Sequence, residues 1–267
     1  MFVSKFEKIT SRENHRLARA RKIRDGKNDE HIFIEGKRLA AEALRSPVEI
    51  VECFVAGDFS GDALVETVVS RGASIATVSS KLFDTIAQTE SPQGIVLIAM
   101  RPTASNKFAF SKSRIPITLY LNEINNPSNL GAVLRTAEAA GVANILISPG
   151  SADPFSPKAL RASMGSAFRL NIATEISTEH AIALARENKL ITIGADANAS
   201  VSYADVDWSS PRMLMIGSEA HGLSEQHKKS LDELVSISMA NEVESLNLAV
   251  SVGVILFEAR RQNANGR

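Results

Sequence analysis

The sequence predicts an α/β fold in two parts. Apolar runs of strand length alternate with helical patterns along the chain, which is the arrangement of sheets covered by helices. At 267 residues and 44% apolar content, the chain is long enough for one large core or two ordinary ones. A polar, basic stretch bounded by prolines interrupts the alternation, as an interdomain linker does. We therefore expect an N-terminal domain at 1–100, a linker at 101–116 and a C-terminal domain at 117–267.

The first half predicts a small α/β domain with a basic N-terminus. Its expected strands are 31–35, 50–56, 74–78 and 94–100, and its expected helices lie near 11–25, 37–45, 61–71 and 80–88. Among the first 27 residues, nine Lys and Arg face three acids, although the whole chain carries 30 of each sign. This local excess suits contact with phosphates and equally suits a solvated helix face. Within it, Arg12, Arg16 and Arg19 fall on one helical stripe.

The second half predicts a parallel sheet. Apolar runs typical of strands buried on both faces occur at 117–122, 144–148, 191–195, 213–216 and 235–239. Helical patterns fall near 127–140, 156–165, 178–188 and 224–232. The last helix, about 245–262, is apolar nearly all round and must therefore be covered on both sides. A second subunit would supply one cover and make a homodimer through the C-terminal domain; burial between the layers of one chain would look the same.

The cysteine, histidine and hydropathy content argues against several classes of protein. Cys53 is the only cysteine, so an intrachain disulfide and a cysteine zinc cluster are excluded, and we expect it in the core. The five histidines show no helical metal-ligand pair, so we expect no metal. The sequence lacks the apolar core of a secretory signal and an apolar run long enough to cross a bilayer. We therefore expect a cytoplasmic protein with no membrane partner.

The first of three polar motifs is Asn126-Pro-Ser-Asn-Leu-Gly-Ala-Val-Leu-Arg-Thr-Ala137, at the start of a predicted helix. Asn126 is an expected N-cap, because the proline after it has no N–H to leave unpaired. Gly131 costs about 1 kcal/mol of helix propensity relative to alanine, which usually marks close approach by a backbone or a ligand. Arg135 would project past that glycine into an open site, where its guanidinium suits phosphate or ribose oxygens. Alternatively, Arg135 is a surface side chain paired with Glu138.

The second motif, Gly217-Ser-Glu-Ala-His-Gly-Leu223, follows a predicted strand directly. Gly217 allows a sharp turn or close approach to a ligand. Glu219 stands at the carboxyl end of the strand, where parallel α/β sheets bind ligands. The motif lacks the lysine of a phosphate loop and the spacing of a dinucleotide-binding turn. A plain strand-to-helix loop with Glu219 in solvent is the alternative.

The third motif, Glu244-Ser-Leu-Asn-Leu-Ala-Val250, opens the last helix. We expect the helix to start at Ser245 and to hold Asn247 in its first turn; a role for Ser245 as an N-cap and nothing more is the alternative to a functional one. Asparagine is a poor helix former, and burying its amide unpaired would cost about 1–3 kcal/mol. Asn247 therefore needs a partner, which is either structural or a ligand.

In order and spacing, these motifs resemble the three signature motifs of the SpoU (TrmH-like) branch of the knotted SPOUT RNA methyltransferases, over roughly 117–262. The segments Ile9-Thr-Ser-Arg-Glu-Asn14 and Phe33-Ile-Glu-Gly36 resemble the small RNA-binding domain that precedes the catalytic domain in many members. The resemblance implies a parallel-sheet methyltransferase domain whose C-terminal segment forms a deep trefoil knot. It implies methyl transfer from S-adenosylmethionine to a ribose 2′-hydroxyl, without a metal. The domain arrangement is most similar to the members that act on ribosomal RNA.

The resemblance assigns a catalytic and a cofactor-binding set of residues by position, and the placing of basic residues on predicted helices suggests an RNA-binding set. The expected catalytic set is Arg135, Asn129, Glu219, Ser245 and Asn247. The expected cofactor-binding set is Gly217, Ile237, Met239 and Leu246. The expected RNA-binding set is Arg12, Arg16, Arg19, Lys158 and Arg161. A guanidinium with a pKa above about 12 is a poor proton acceptor, so electrostatic stabilisation suits Arg135 better than the role of base that is proposed in the family.

Two departures from the family pattern lie in the loop before the third motif. The family commonly has Ile-Pro-Met and a glycine two residues later, whereas this chain has Ile237-Ser238-Met239 and Asn241. Loss of the proline and glycine predicts a looser loop beside the adenine of the cofactor. Alternative functions are a non-catalytic RNA-binding protein of the same fold, a tRNA 2′-O-methyltransferase, and a methyltransferase for a small molecule or a protein; the basic N-terminus argues against the last.

Overall fold

The computed structural model of the chain describes residues 6–104, 114–241 and 243–264. The chain forms two compact units. As far as their residues are described, the N-terminal unit comprises Met1–Pro102 and Phe155–Arg169, and the C-terminal unit comprises Thr103–Pro154 and Leu170–Arg267. The N-terminal unit therefore includes a segment from the middle of the sequence. The division into functional domains at 1–100 and 117–267 stays a prediction, as does the linker at 101–116, of which residues 105–113 lie outside the described residues.

The expected strands and helices are present, with ends shifted by a few residues. The strands are β1 (Glu7–Ile9), β2 (His31–Glu35), β3 (Ile50–Ala56), β4 (Ser74–Val78), β5 (Ile95–Met100), β6 (Ile117–Leu121), β7 (Asn144–Ile147), β8 (Asn171–Ala173), β9 (Ile191–Ala195), β10 (Val201–Ser202), β11 (Arg212–Ile216) and β12 (Glu233–Ser236). The helices are α1 (His15–Arg24), α2 (Lys37–Arg45), α3 (Asp62–Ser70), α4 (Ser80–Phe83), α5 (Pro127–Ala140), α6 (Pro157–Ser163), α7 (Thr178–Glu187), α8 (Glu225–Lys229) and α9 (Leu248–Ala264). Strands β1, β8 and β10 were not predicted, because two or three residues are too few to show an alternating pattern.

The N-terminal unit is built on a mixed sheet with the strand order β1-β4-β3-β5-β2 among the described residues. Strands β1, β4 and β3 run parallel, whereas β5 is antiparallel to both β3 and β2. Phe33 and Phe54 are fully buried in its core, as is Cys53 on β3. Burial raises the pKa of the Cys53 thiol, and its prediction as a core residue is confirmed.

The segment 155–169 packs against the N-terminal unit through α6, which contacts β2. After α6, the backbone at Gly165 has a φ of +85°, and a Cβ at this position would lie 2.6 Å from the Cβ of Glu42. Arg169 Nη1 donates to Glu42 Oε2 at 2.8 Å. Gly165 is therefore required for close packing on α2, between residues more than one hundred positions apart in the sequence.

The C-terminal unit is built on a parallel sheet, which confirms the prediction. Among the described residues its strand order is β10-β12-β9-β11-β6-β7-β8, and each neighbouring pair is parallel. Every residue of β6, β7 and β11 is buried, as expected for strands covered on both faces. Because the strands run in one direction, their carboxyl ends meet at a single edge of the sheet.

Helix α5 begins as the sequence predicts. The Asn126 side chain accepts a hydrogen bond from the Ser128 N–H at 2.9 Å, and Pro127 occupies the first helical position. The helix ends at Gly141, whose φ of +100° allows the left-handed C-cap that stops many helices. These two ends fix Asn129 in the first turn of the helix, beside the carboxyl edge of the sheet.

Helix α9 packs against α5 and is covered on one side. Its buried face carries Val252, Ile255, Leu256 and Ala259. The opposite face leaves Val250 50% and Phe257 49% exposed in the single chain. The described residues of this chain therefore cover only one side of α9, whereas the sequence predicts cover on both. No helix in the described ranges has the length and apolar character needed to cross a bilayer.

Candidate active site

The candidate site is a cavity of about 520 Å³ at the carboxyl edge of the parallel sheet. Strands β12, β9, β11 and β6 are consecutive neighbours in that sheet. The cavity is lined by residues 195–198 at the end of β9, by residues 216–223 at the end of β11, and by Val235, Ile237 and Met239 at the end of β12. Residues around the start of α9 complete the wall. Parallel α/β sheets bind ligands at this edge, and the volume is in the range of small-molecule sites.

The three motifs meet at this cavity. Of the five residues predicted to be catalytic and the four predicted to bind cofactor, all except Arg135 line it: Asn129, Glu219, Ser245, Asn247, Gly217, Ile237, Met239 and Leu246. The motifs are separated by up to about a hundred residues in sequence, so only the fold brings them together. This convergence is the main structural support for the predicted site.

The second motif forms a tight turn closed by backbone hydrogen bonds. The Ser218 N–H donates to the Gly222 carbonyl at 3.1 Å, and the Gly222 N–H donates to the Ser218 carbonyl at 2.9 Å. A Cβ on Gly217 would lie 2.0 Å from the Gly222 carbonyl carbon, closer than atoms can approach. Glycine is therefore required at 217 by the motif's own backbone. The turn holds Glu219 exposed at its tip, on the cavity wall.

The third motif begins α9 differently from the prediction. The helix starts at Leu248, and Asn247 is its N-cap: Asn247 Oδ1 accepts from the Ala249 N–H at 2.9 Å. Asn247 Nδ2 donates to Asn129 Oδ1 at 3.4 Å, which links the third motif to the first. The expectations that the helix starts at Ser245 and holds Asn247 in its first turn are wrong, since Asn247 is exposed and precedes the first helical residue. Asn247 precedes the helix, so its low helix propensity does not destabilise α9, and asparagine is a favoured N-cap.

The loop before the third motif retains a backbone conformation that favours glycine. Asn241 has a φ of +61°, in the left-handed region. Asparagine adopts this region more readily than most other residues with a side chain. The departure from the family glycine at 241 therefore does not by itself force a different course on the loop that carries Ile237 and Met239.

Arg135 lies outside the cavity wall, on the solvent-exposed side of α5. It follows Asn129 by six residues, or about 9 Å along the helix. Its side chain makes no hydrogen bond or ion pair with any residue that the structure describes, so the alternative pairing with Glu138 is not formed. The guanidinium is therefore available to a ligand that approaches the first motif from outside.

The wall also carries Asp196, Asn198 and Lys228, three polar residues that belong to none of the predicted sets. Lys228 Nζ forms ion pairs with Asp196 and, at 2.8 Å, with Glu225, while the Asn198 N–H donates to Asp196 Oδ1 at 2.7 Å. Burial raises the pKa of Asp196, but the bonds from Lys228 and Asn198 outweigh it and leave this pKa below its usual value. The signal in the sequence was the position of Asp196, directly after a predicted parallel strand.

A family model described as the SpoU rRNA Methylase family matches residues 116–257, which include all three motifs and the cavity. The chain belongs to the SpoU rRNA methylase family. A second model, described as an MRM3-like substrate binding domain, matches residues 6–97. The resemblance drawn from the motifs is thereby confirmed for both parts of the chain.

Proteins described as RNA methyltransferases resemble this chain over nearly its whole length. An uncharacterised tRNA/rRNA methyltransferase of Synechocystis sp. is 30% identical over 259 residues, which cover 95% of this chain and 93% of the relative. The crystal structure of an AdoMet-bound rRNA methyltransferase from Sinorhizobium meliloti has a TM-score of 0.85 at 29% identity, covering 96% of this chain and 98% of that one. A crystal structure described as an RNA 2′-O ribose methyltransferase has a TM-score of 0.79 at 26% identity, covering 96% and 99%. The predicted fold class is confirmed, and the trefoil knot stays a prediction.

Arg16, one of the predicted RNA contacts in the substrate-binding part of this SpoU protein, is tied to its own unit. It forms ion pairs with Glu52 and, at 2.7 Å, with Glu7, and its Nη2 donates to Ser74 Oγ at 2.9 Å. Its side chain is 14% exposed, whereas that of Glu52 is 6% exposed. Arg16 therefore neutralises a buried carboxylate and fastens α1 to the sheet.

Arg12 and Arg19 are exposed on the N-terminal unit. Helix α1 begins at His15 with Asn14 as its N-cap, so Arg12 precedes the helix and the predicted stripe of three arginines is not formed. Arg19 Nη2 lies 2.7 Å from His31 Nε2, and Arg12 presents its side chain to solvent. Both arginines remain candidates for phosphate contacts.

The two predicted RNA contacts on α6 also differ from each other. Lys158 is exposed, whereas Arg161 donates to Gln88 Oε1 within the N-terminal unit. The structure therefore places both beside the matched substrate-binding region, and leaves Lys158 as the freer of the two charges.

Proposed function

We propose that this chain transfers a methyl group from S-adenosylmethionine to a ribose 2′-hydroxyl of structured RNA, with ribosomal RNA as its substrate. The observation that carries the proposal is the convergence of the three SpoU motifs on one cavity at the carboxyl edge of the sheet. Family membership and the similarity to an RNA 2′-O ribose methyltransferase support the reaction. The similarity to an rRNA methyltransferase over 96% of the chain supports the choice of RNA.

The cavity suits a nucleoside joined to an amino acid. Ile216, Leu223 and Val235 offer buried apolar surface to a purine, and the polar residues of the motifs lie on the same wall. Loop backbone at 217–223 and 237–239 supplies amide groups for hydrogen bonds. When bound, S-adenosylmethionine supplies a methyl group on a sulfonium. The hydroxyl proton is released to water, and the remaining requirement, which is to position the acceptor oxygen, falls to the protein.

Arg135 provides positive charge for the acceptor side of the reaction. Its guanidinium stays protonated in water, so it is unsuited to removing the hydroxyl proton. With no partner among the described residues, it is free to bind a ribose phosphate and to stabilise charge that develops on the attacking oxygen. Its place outside the wall, more than one turn beyond Asn129, is compatible with an RNA that enters from the solvent side.

Asn129, Asn247 and Ser245 orient the acceptor ribose. The bond from Asn247 Nδ2 occupies Asn129 Oδ1 and leaves the Asn129 amide N–H groups for a ligand. Ser245 is exposed on the wall, so its hydroxyl is accessible to a sugar oxygen. Glu219 lies at the tip of its turn, and its carboxylate interacts with Arg135 or with the RNA when the substrate is bound.

The N-terminal unit supplies RNA affinity, and the exposed face of α9 supplies a dimer contact. Arg12, Arg19 and Lys158 are the exposed cations of the predicted RNA-binding set. Phosphate contacts of this kind give affinity and salt dependence without sequence information.

The exposure of Val250 and Phe257 supports a homodimer through the C-terminal unit, which would cover the second side of α9.

Two alternatives predict different substrates. A non-catalytic RNA-binding protein of this fold would bind RNA but transfer no methyl group. A tRNA 2′-O-methyltransferase would label transfer RNA, and the Synechocystis relative is described as a tRNA/rRNA methyltransferase.

Incubation with methyl-labelled S-adenosylmethionine and total cellular RNA, followed by separation of RNA species, distinguishes the three functions. We expect label in ribosomal RNA; label confined to transfer RNA would overturn the substrate, and RNA binding without label on either naked RNA or ribosomal subunits would overturn the reaction. Ribosomal subunits serve as a second substrate, because an assembled particle can be required.

A further inference from the structure

We propose that Asp196 binds the ribose hydroxyls of the nucleoside cofactor and selects for an intact ribose. This inference rests on the proposed function, because it assumes S-adenosylmethionine in the cavity. Asp196 lies outside the three motifs and outside every residue set predicted from the sequence. Its side chain is 9% exposed and lines the cavity together with Asn198 and Lys228.

The position of Asp196 in the sheet places it at the cofactor rather than at the acceptor. It is the first residue after β9, which lies between β11 and β12. The residues that orient the acceptor belong to α5 and to the start of α9, and α5 follows β6, two strand spacings or about 10 Å from β9. In S-adenosylmethionine the ribose is joined to the sulfonium through a single methylene. A carboxylate at the end of β9 is therefore at a suitable distance for the ribose of a cofactor whose methyl group faces Asn129.

The hydrogen bonding of Asp196 leaves room for a diol. An ionised carboxylate offers about four acceptor sites on its two oxygens. The Asn198 N–H occupies one on Oδ1 at 2.7 Å, and Lys228 Nζ occupies one on Oδ2. These two bonds fix the carboxylate and keep it ionised, and each oxygen retains an acceptor site for a hydroxyl. An acidic side chain at the end of a parallel strand recognises the ribose hydroxyls in dinucleotide-binding sheets for the same reason.

A purely structural role makes a different prediction for the same residue. The ion pair between Asp196 and Lys228 joins α8 to the end of β9. In a purely structural role, Asp196 would contribute only by holding Lys228. In that case, loss of Asp196 and loss of Lys228 would weaken every cofactor analogue equally. Recognition of ribose by Asp196 predicts instead that only the Asp196 variants lose the ability to distinguish analogues by their hydroxyls.

Calorimetric titration with S-adenosylhomocysteine and its 2′-deoxy and 3′-deoxy analogues separates the two roles without any requirement for activity. In the wild type we expect removal of either hydroxyl to weaken binding about tenfold or more, as for hydrogen bonds to a charged group. Asp196→Ala should bind the parent compound about tenfold more weakly and bind all three compounds within about twofold of one another. Lys228→Ala, the matched control, should bind all three compounds more weakly but still distinguish them by their hydroxyls, because the Asn198 N–H continues to hold the Asp196 carboxylate.

The ratio of the affinities for S-adenosylhomocysteine and its deoxy analogues distinguishes the two roles of Asp196 even where a variant has low stability. Asp196→Asn preserves the shape of the side chain and the bond from Asn198, and should reduce the discrimination less than Asp196→Ala. Tight binding by Asp196→Ala with undiminished discrimination between the analogues would overturn the role of Asp196 but not the proposed cofactor. Failure of the wild type to bind S-adenosylhomocysteine would overturn the proposed cofactor and, with it, this role for Asp196.

Discussion

At the scale of single residues, the backbone of the cavity loops decides which side chains are tolerated. Gly217 cannot carry a Cβ, because its own turn brings the Gly222 carbonyl carbon to 2.0 Å of the position where that atom would lie. Asn241 accepts a left-handed conformation that penalises most other side chains. Both residues act through the path of the chain, whereas the roles proposed for Arg135 and Asn129 depend on their functional groups.

Substitutions at Asn241 test whether its backbone conformation maintains the loop that carries Ile237 and Met239. A β-branched residue at a φ of +61° is strained by about 1–3 kcal/mol, so Asn241→Val should lower affinity for S-adenosylhomocysteine about tenfold. Asn241→Gly, the matched control, should bind within about threefold of the wild type. Calorimetry provides both affinities, and equal binding by the valine variant would show that the loop does not depend on residue 241.

Substitutions at Arg135 test the separation of the acceptor side from the cofactor cavity. Since Arg135 lies outside the wall, Arg135→Ala should abolish nearly all methyl transfer while cofactor affinity stays within a few-fold of the wild type. Arg135→Lys keeps the charge but loses the planar fork, and should recover a small part of the activity. Rates with labelled cofactor and calorimetric affinities measure the two effects. An alanine variant as active as the wild type would contradict the assigned role.

At the scale of elements, the start of α9 joins folding to function. Asn247 caps the helix with its oxygen and reaches Asn129 with its amide nitrogen, so one side chain serves two purposes. Helix α5, capped by Asn126, presents Asn129 from the other side. The two helices pack together, and their N-terminal ends bring the first and third motifs to the same wall.

Two substitutions at Asn247 separate its purposes. Asn247→Asp retains an oxygen acceptor for the Ala249 N–H but loses the N–H donor to Asn129, so it should keep stability and lose activity at least tenfold. Asn247→Ala loses both bonds and should also lower the free energy of unfolding by about 1 kcal/mol. Urea denaturation and methyl-transfer rates provide the comparison. Full activity in the aspartate variant would show that the bond to Asn129 is dispensable for methyl transfer.

The sequence predicted the elements that have a strong local pattern and missed those that depend on distant residues. The parallel strands and the cap at Asn126 follow from apolar runs and local capping chemistry. The start of α9 was placed too early, because Ser245 and Asn247 are both good N-caps and only the tertiary structure selects one. The packing of Gly165 against Glu42 and the ion pair between Asp196 and Lys228 join distant segments, and a single sequence gives no local signal for either.

At the scale of the whole molecule, a count of basic residues overstates the charge available to RNA. The chain has 30 basic and 30 acidic residues, with an excess of six positive charges in its first 27 positions. Several of these arginines have internal partners: Arg16 pairs with Glu7 and Glu52, and Arg24 Nη1 donates to the carbonyls of residues 85–87. Composition alone could not distinguish these structural arginines from exposed ones.

Charge substitutions on α1 and just before it test this distinction. Arg12→Glu combined with Arg19→Glu should weaken RNA binding and reduce the slope of log affinity against log salt by about 0.7–0.9 for each phosphate that the protein no longer neutralises. Arg16→Ala, the control, should leave the slope unchanged and instead lower stability, because it leaves Glu52 buried without its partner. Filter binding at several salt concentrations and thermal denaturation measure these effects. A changed slope in Arg16→Ala alone would reverse the assignment.

The central claim is that the cavity formed by the three motifs directs a methyl group to a ribose oxygen. The most direct test is alkaline hydrolysis of RNA labelled by the wild-type protein, followed by mass spectrometry of the resistant dinucleotide. The 2′-hydroxyl is the nucleophile in alkaline cleavage, so its methylation protects the adjacent linkage. We predict label in one alkali-resistant dinucleotide of ribosomal RNA. Label recovered entirely in mononucleotides would place the methyl group on a base and would contradict the claim.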